Sequence, residues 1–163
     1  MLDLNAFVSI AGVFLNACLL VFVGLQLRSS NRANREDHDR RKKQATVDFW
    51  VQTLERRHAI VQQLTSDRNG QGLKKYLKHL GHEDNAEVRT VHRFLSLYEL
   101  LAAAANTDVF DLEVLSRIAG RHVIATADTY RAWILERREQ RESPRMFSDL
   151  LELADRLRSH REK

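Results

Sequence analysis

The sequence predicts an all-α protein: an N-terminal transmembrane helix followed by a cytoplasmic helical bundle of about five helices. Three observations carry that reading. One proline and six glycines in 163 residues leave little to interrupt helices. No stretch alternates apolar and polar residues with the β-branched and aromatic enrichment of a strand. Residues 6–27, AFVSIAGVFLNACLLVFVGLQL, carry no charge and span roughly 30 Å as a helix, the thickness of a bilayer's hydrocarbon core.

The flanks of that run distinguish an anchor from a secretory signal. A signal needs a basic leading segment and a small-residue cleavage site. Here Leu2, Asp3 and Asn5 lead, and the basic residues follow. Arg28, Arg32, Arg35, Arg40, Arg41, Lys42 and Lys43 all lie on the C-terminal side. The positive-inside rule then puts residues 28 onward in the cytoplasm and the N-terminus outside. The expected segments are 1–5 outside the cell, 6–27 across the membrane, 28–44 as a basic juxtamembrane stem, and 45–163 as the bundle. The basic cluster faces the lipid bilayer and would meet anionic headgroups; Glu36, Asp37 and Asp39 dilute it.

Composition narrows the function classes. The net charge of +4 comes from 26 Lys and Arg against 22 Asp and Glu, so the total marks no nucleic-acid footprint. Cys18 is the single cysteine and lies in the apolar run, which excludes an intrachain disulfide framework and suits a cytoplasmic domain.

Within the anchor, Asn5, Ser9, Gly12, Asn16 and Gln26 fall on one stripe about 100° wide. Asn16 sits near mid-membrane, where an amide facing lipid is unfavourable, so a helix–helix contact or water is expected there. The stripe predicts a homo-oligomer, with a water-filled lumen as its bolder form.

Between Gly24 and Gly70 there is neither Gly nor Pro, so the anchor either continues as one long helix or bends near Ser29, Ser30 and Asn31. Val47, Trp50, Val51, Leu54, Ile60, Val61 and Leu64 then recur at helical spacing, and RNGQG at 68–72 breaks the pattern. A short helix with Tyr76 and Leu77 follows. Asp84 or Asn85 can cap the next, about 86–106, whose apolar end LLAAAA marks the bundle's centre. Asp111 can cap a short helix that Gly120 ends, and another runs from about Val123 to Arg141. Ser143–Pro144 predicts the start of the last helix, with proline in its first turn and Phe147 buried.

Few residues suggest chemistry. His79, His82, Glu83 and Asp84 cluster without the paired spacing of a zinc site, and no metal or cofactor is expected. Glu99 lies in an apolar helix, where Arg131, Arg137 or Arg138 could pair with it if it is buried. Arg117-x4-His122 matches an Arg-x(4–6)-His spacing that could steady a phosphate and move a proton, as does Arg32-x5-His38. With Arg so common here, such matches arise by chance.

Two resemblances attach to these residues. The runs LYELLAAAANTDVFDLEVLSRIAG and YRAWILERREQRESPRMFSDLLELADRL, with Glu99, Asp111, Trp133, Arg137, Pro144 and Phe147, resemble a bacterial domain-of-unknown-function family. Its members are small proteins with one N-terminal transmembrane helix and a helical cytoplasmic domain, which implies a place in the bacterial inner membrane. The layout is also similar to the membrane accessory protein of type VI-B CRISPR systems, an anchor joined to a HEPN-like domain. That likeness implies a self-assembling, membrane-perturbing effector in antiviral defence. The Arg117/His122 spacing leaves a second expectation, a membrane-tethered HEPN-type ribonuclease with RNA as substrate. A third is an anchored adaptor for a cytoplasmic protein partner. The leading reading is not an enzyme.

Overall fold

The computed structural model describes residues 4–68, 70–80 and 85–161, with side chains described from Phe22 onward. Seven helices follow one another among these residues, and none of them forms a strand. They are α1 (Leu4–Gln52), α2 (Leu54–Asp67), α3 (Leu73–His79), α4 (Ala86–Asn106), α5 (Leu112–Ile118), α6 (Gly120–Gln140) and α7 (Ser148–Arg161). The chain divides into two compact units, Met1–Arg41 and Lys42–Lys163.

The first unit is helical from Leu4. Helix α1 runs through Ser29, Ser30 and Asn31 without a break, as the absence of Gly and Pro there allows. Within this unit its described side chains are exposed, and the i,i+4 pairs Arg32–Glu36 (2.9 Å) and Arg41–Asp37 (2.7 Å) lace its surface.

The second unit begins with the last turns of α1. Helices α4, α6 and α7 form its centre: α7 packs against both others, α2 against α4, and α3 against α6. Helix α5 lies against α6 and α7. Leu95, Leu115, Ile134, Leu150, Leu153 and Leu157 are fully buried, each contributing about 1.5–3 kcal/mol of transfer free energy. The apolar end of α4 is indeed central, with Leu101, Ala102 and Ala105 buried.

Helix ends follow their side chains. Asn85 and Asp111 cap α4 and α5, accepting from the N–H groups of Val88 and Val114, each at 2.8 Å. Helix α4 stops where Asp108 turns left-handed (φ 63°), which lets Val109 and Phe110 donate back to the Ala104 carbonyl. Between α1 and α2, Thr53 donates its hydroxyl to the Phe49 carbonyl (2.7 Å) and loosens a single turn.

Two boundaries differ from the sequence expectation. Gly120 opens α6, because the break falls at Ala119 (φ −130°), and Leu157 lies 3.9 Å from where a Cβ of residue 120 would sit. The last helix starts at Ser148 and not at Pro144. Phe147 is buried with φ 54°, a left-handed conformation that no helix contains, so residues 144–147 form a turn.

Candidate functional site

Glu99 is the half-buried acid that the sequence singles out, and its partners are backbone amides. The N–H groups of Leu150 (2.8 Å) and Asp149 (3.3 Å) donate to it, closing the first turn of α7 from a neighbouring helix. Burial pushes its carboxyl up, against the pull of those two hydrogen bonds and of nearby Arg138. The expected ion pair with Arg131 or Arg137 does not form. Arg131 reaches Asp155 at 3.3 Å, and Arg137 is buried with its guanidinium 5.4 Å from the Trp133 ring. Amides of a helix N-terminus satisfy a carboxylate as well as a guanidinium does, which is why spacing alone misassigns the partner.

Arg117 and His122 are likewise kept apart in role. Arg117 is spent on Glu113 (2.6 Å) at an exposed face of α5. The His122 ring lies 6.0 Å from that of Trp50. His122 instead lines an open groove of about 210 Å³ between α2 and α6, with Val61, Thr65 and Arg68 on one side and Phe94 and Tyr130 among its other walls. Burial pushes the Tyr130 phenol up to about 12, so it stays protonated and offers no base. Arg68 is folded back onto the Leu64 carbonyl (3.2 Å) and the Thr65 hydroxyl (3.1 Å). The groove therefore holds an imidazole, with Thr65, Thr126 and Thr129 also among its lining residues.

The sequence missed Arg57, which is buried without a carboxylate partner among the described residues. Its guanidinium stacks 3.4 Å from the Trp50 ring centroid and donates to the Thr53 hydroxyl (2.6 Å) and the Trp50 carbonyl (2.9 Å). Desolvation lowers its pKa, and nearby Tyr98 opposes that. A signal was available: residue 57 falls in register with Trp50, Ile60 and Leu64.

The apolar residues expected to form one inward face over 47–64 form two. Trp50, Ile60 and Leu64 turn inward, whereas Val47, Val51, Leu54 and Val61 are exposed, at 38%, 60%, 42% and 44%. These four stand at helical spacing along the end of α1 and α2.

Of the basic cluster, Arg28, Arg32, Arg35, Arg40, Arg41 and Lys43 are exposed. Lys42 is a correction: its ammonium pairs with Asp108 at 2.7 Å and belongs to the bundle, with 15% of its side chain exposed. Gln26 is exposed, while the side chains of Asn5, Ser9, Gly12 and Asn16 lie outside the described residues. His82, Glu83 and Asp84 lie outside them too. Among the described residues no group of three or more His, Cys, Asp or Glu is placed to hold a metal.

Residues 6–157 match the model of a protein family described as a domain of unknown function, DUF4760. Searches of curated proteins and of solved structures give no match. The chain belongs to that family, whose pattern takes in the apolar run and the bundle together.

Proposed function

We propose that this member of the DUF4760 family is a membrane-anchored, self-assembling helical protein that works through its surfaces and not through a catalytic centre. The observation that carries it is the end of the apolar run. Phe22, Val23, Leu25 and Leu27 are 48–62% exposed, with Arg28, Arg32 and Arg35 following them. Four bare apolar side chains leading into a basic stem suit a helix leaving lipid at the headgroups. Among the described residues no helix is long and apolar enough to cross a membrane; most of the run, residues 6–21, has its side chains outside that set.

In this reading the bundle lies on the cytoplasmic side of a bacterial inner membrane, and copies meet through the anchor and the bundle. A closed ring would bring the Asn16 stripes to one axis, as a membrane-perturbing effector in antiviral defence requires. The full chain should stay in the membrane pellet through alkaline carbonate extraction and run in mild detergent as an oligomer. Release into the supernatant would overturn the anchor, and a monomeric mass the assembly.

A ribonuclease is the second reading, favoured by His122 lining a groove beside Arg68. Purified full chain should then cleave single-stranded RNA, and His122→Ala should abolish it. No cleavage by the unmodified protein ends that reading.

A further inference from the structure

We infer that the exposed stripe on α1 and α2 is the seam of a parallel two-stranded contact with a second copy of this chain. The inference rests on the self-assembly reading and names where the bundles meet. Val47, Val51, Leu54 and Val61 stand 4, 3 and 7 residues apart, and exposed His58 fills the remaining place. That is a heptad with Val51 and His58 at a and Val47, Leu54 and Val61 at d. In the one full heptad step, Val51 at a with Leu54 at d is the pairing that favours two parallel strands, and His58 supplies the polar a position that fixes register; Val47 and Val61 are the remaining d positions.

The seam crosses the loosened turn at Thr53 that separates α1 from α2. Thr53 is itself right-handed helical, and the ladder bonds Thr53 N–H to Phe49 (3.1 Å) and Arg57 N–H to Thr53 (2.9 Å) persist. The same chain turns its other face to its own bundle through Thr46, Trp50, Arg57 and Leu64. At about 100° per residue, that face lies roughly a quarter of a turn from the stripe, so a partner helix and the home bundle would take adjacent faces.

Charge selects the direction. In a parallel pair, Lys43 at g faces Asp48 at e of the other copy, twice over by symmetry. Both side chains are exposed, and among the described residues neither is held by an ion pair within its own chain; Asp48 accepts from the Gln44 amide (2.8 Å). An antiparallel pair centred on Leu54 would set Glu55 against Glu55. Opposite charges in one arrangement and like charges in the other make the parallel dimer the one that the surface fits.

The test uses the full-length chain in mild detergent with Cys18→Ser, which removes the single cysteine. Val47→Cys and Val61→Cys are introduced separately. Residues 14 positions apart each meet their own equivalent only in a parallel pair, so both variants should form disulfide-linked dimers on mild oxidation. Lys43→Asp should cut the linked fraction several-fold, and Lys43→Asp with Asp48→Lys should restore it. Lys43, Val47, Asp48 and Val61 are all exposed, and an unchanged thermal melt of each variant confirms that the bundle is intact. A monomeric unmodified chain overturns both the assembly and this contact. An oligomer in which either cysteine fails to self-link, or in which the charge swap fails to rescue, overturns this contact alone and leaves assembly to the anchor.

Discussion

The Glu99 carboxylate accepts the backbone N–H of Leu150 at 2.8 Å, so a residue in the middle of α4 caps α7. The helix needs this help. The residue before it, Phe147, has no side-chain acceptor and is held at φ 54°. A second latch lies one end of α4 away: the Asn106 amide donates to the Asp149 carbonyl (3.1 Å) and carboxylate (3.0 Å), and Arg156 donates back to Asn106 (2.8 Å). Apolar burial joins α4 to α7, and these polar groups fix how far one slides along the other.

Removing the cap should be costly. Glu99→Ala is expected to destabilise the bundle by about 2 kcal/mol, because two amide donors at the start of α7 lose their acceptor. Urea unfolding followed by circular dichroism measures it. A loss below about 0.5 kcal/mol would mean that water replaces the carboxylate at no cost.

The same carboxyl gives a pH dependence of unusual sign. Burial raises its folded pKa, so the folded protein holds the proton more tightly than the unfolded chain does. The stability it contributes is full below the ordinary carboxylate range and is lost as pH rises through its folded value. Glu99→Gln keeps the side chain neutral throughout. The stability of the unmodified protein minus that of Glu99→Gln should therefore fall from pH 4 to pH 7; a rise would show that the two amide bonds outweigh burial.

Thr46, fully buried, joins the end of α1 to the cap of α5. Its hydroxyl donates to the Lys42 carbonyl (2.8 Å) and accepts from the Asp111 N–H (2.9 Å), while Asp111 itself caps Val114. Thr46→Val keeps the shape and removes the acceptor. It should cost about 1–3 kcal/mol, because a buried amide loses its partner, and the Asp111 amide should exchange its hydrogen faster than in the unmodified protein. Unchanged exchange at Asp111 would show that another group takes over.

How much of this was legible in the sequence depends on the kind of signal. Asp111 announces itself because a cap is a local device: the acceptor and its donor are three residues apart. The central place of α4 is legible in LLAAAA because a helix apolar on most sides has to be buried. The partner of Glu99 is 51 positions away and is a backbone group, which has no letter in the sequence. Phe147 looks like a helix interior residue after Pro144, yet tertiary burial of its ring holds it at φ 54° and delays the helix. The two faces of 47–64 are both apolar, and only the packing of α2 against α4 reveals that Trp50, Ile60 and Leu64 are covered while the three valines are not. Lys42 and Lys43 are neighbours of identical chemistry, and the turn at Asp108 separates their roles.

Arg57 tests whether its charge or its bulk matters to the fold. Among the described residues it has no acid partner, and desolvation is offset there by the Trp50 ring, a hydroxyl and a carbonyl. An apolar residue of similar length has no such debt. Arg57→Met should leave stability within about 1 kcal/mol of the unmodified protein, whereas Trp50→Ala should cost about 3 kcal/mol by stripping the support from a charge that stays. Trp50 also meets the rings of Tyr98 and His122, so the loss extends toward the groove. The double variant Trp50→Ala with Arg57→Met then decides the matter. If the cation is the liability, removing it recovers part of the Trp50→Ala loss, and the two changes are not additive. If the double loss equals the sum of the single ones in thermal or urea unfolding, the stack on Trp50 is packing alone and the positive charge adds nothing to the cost.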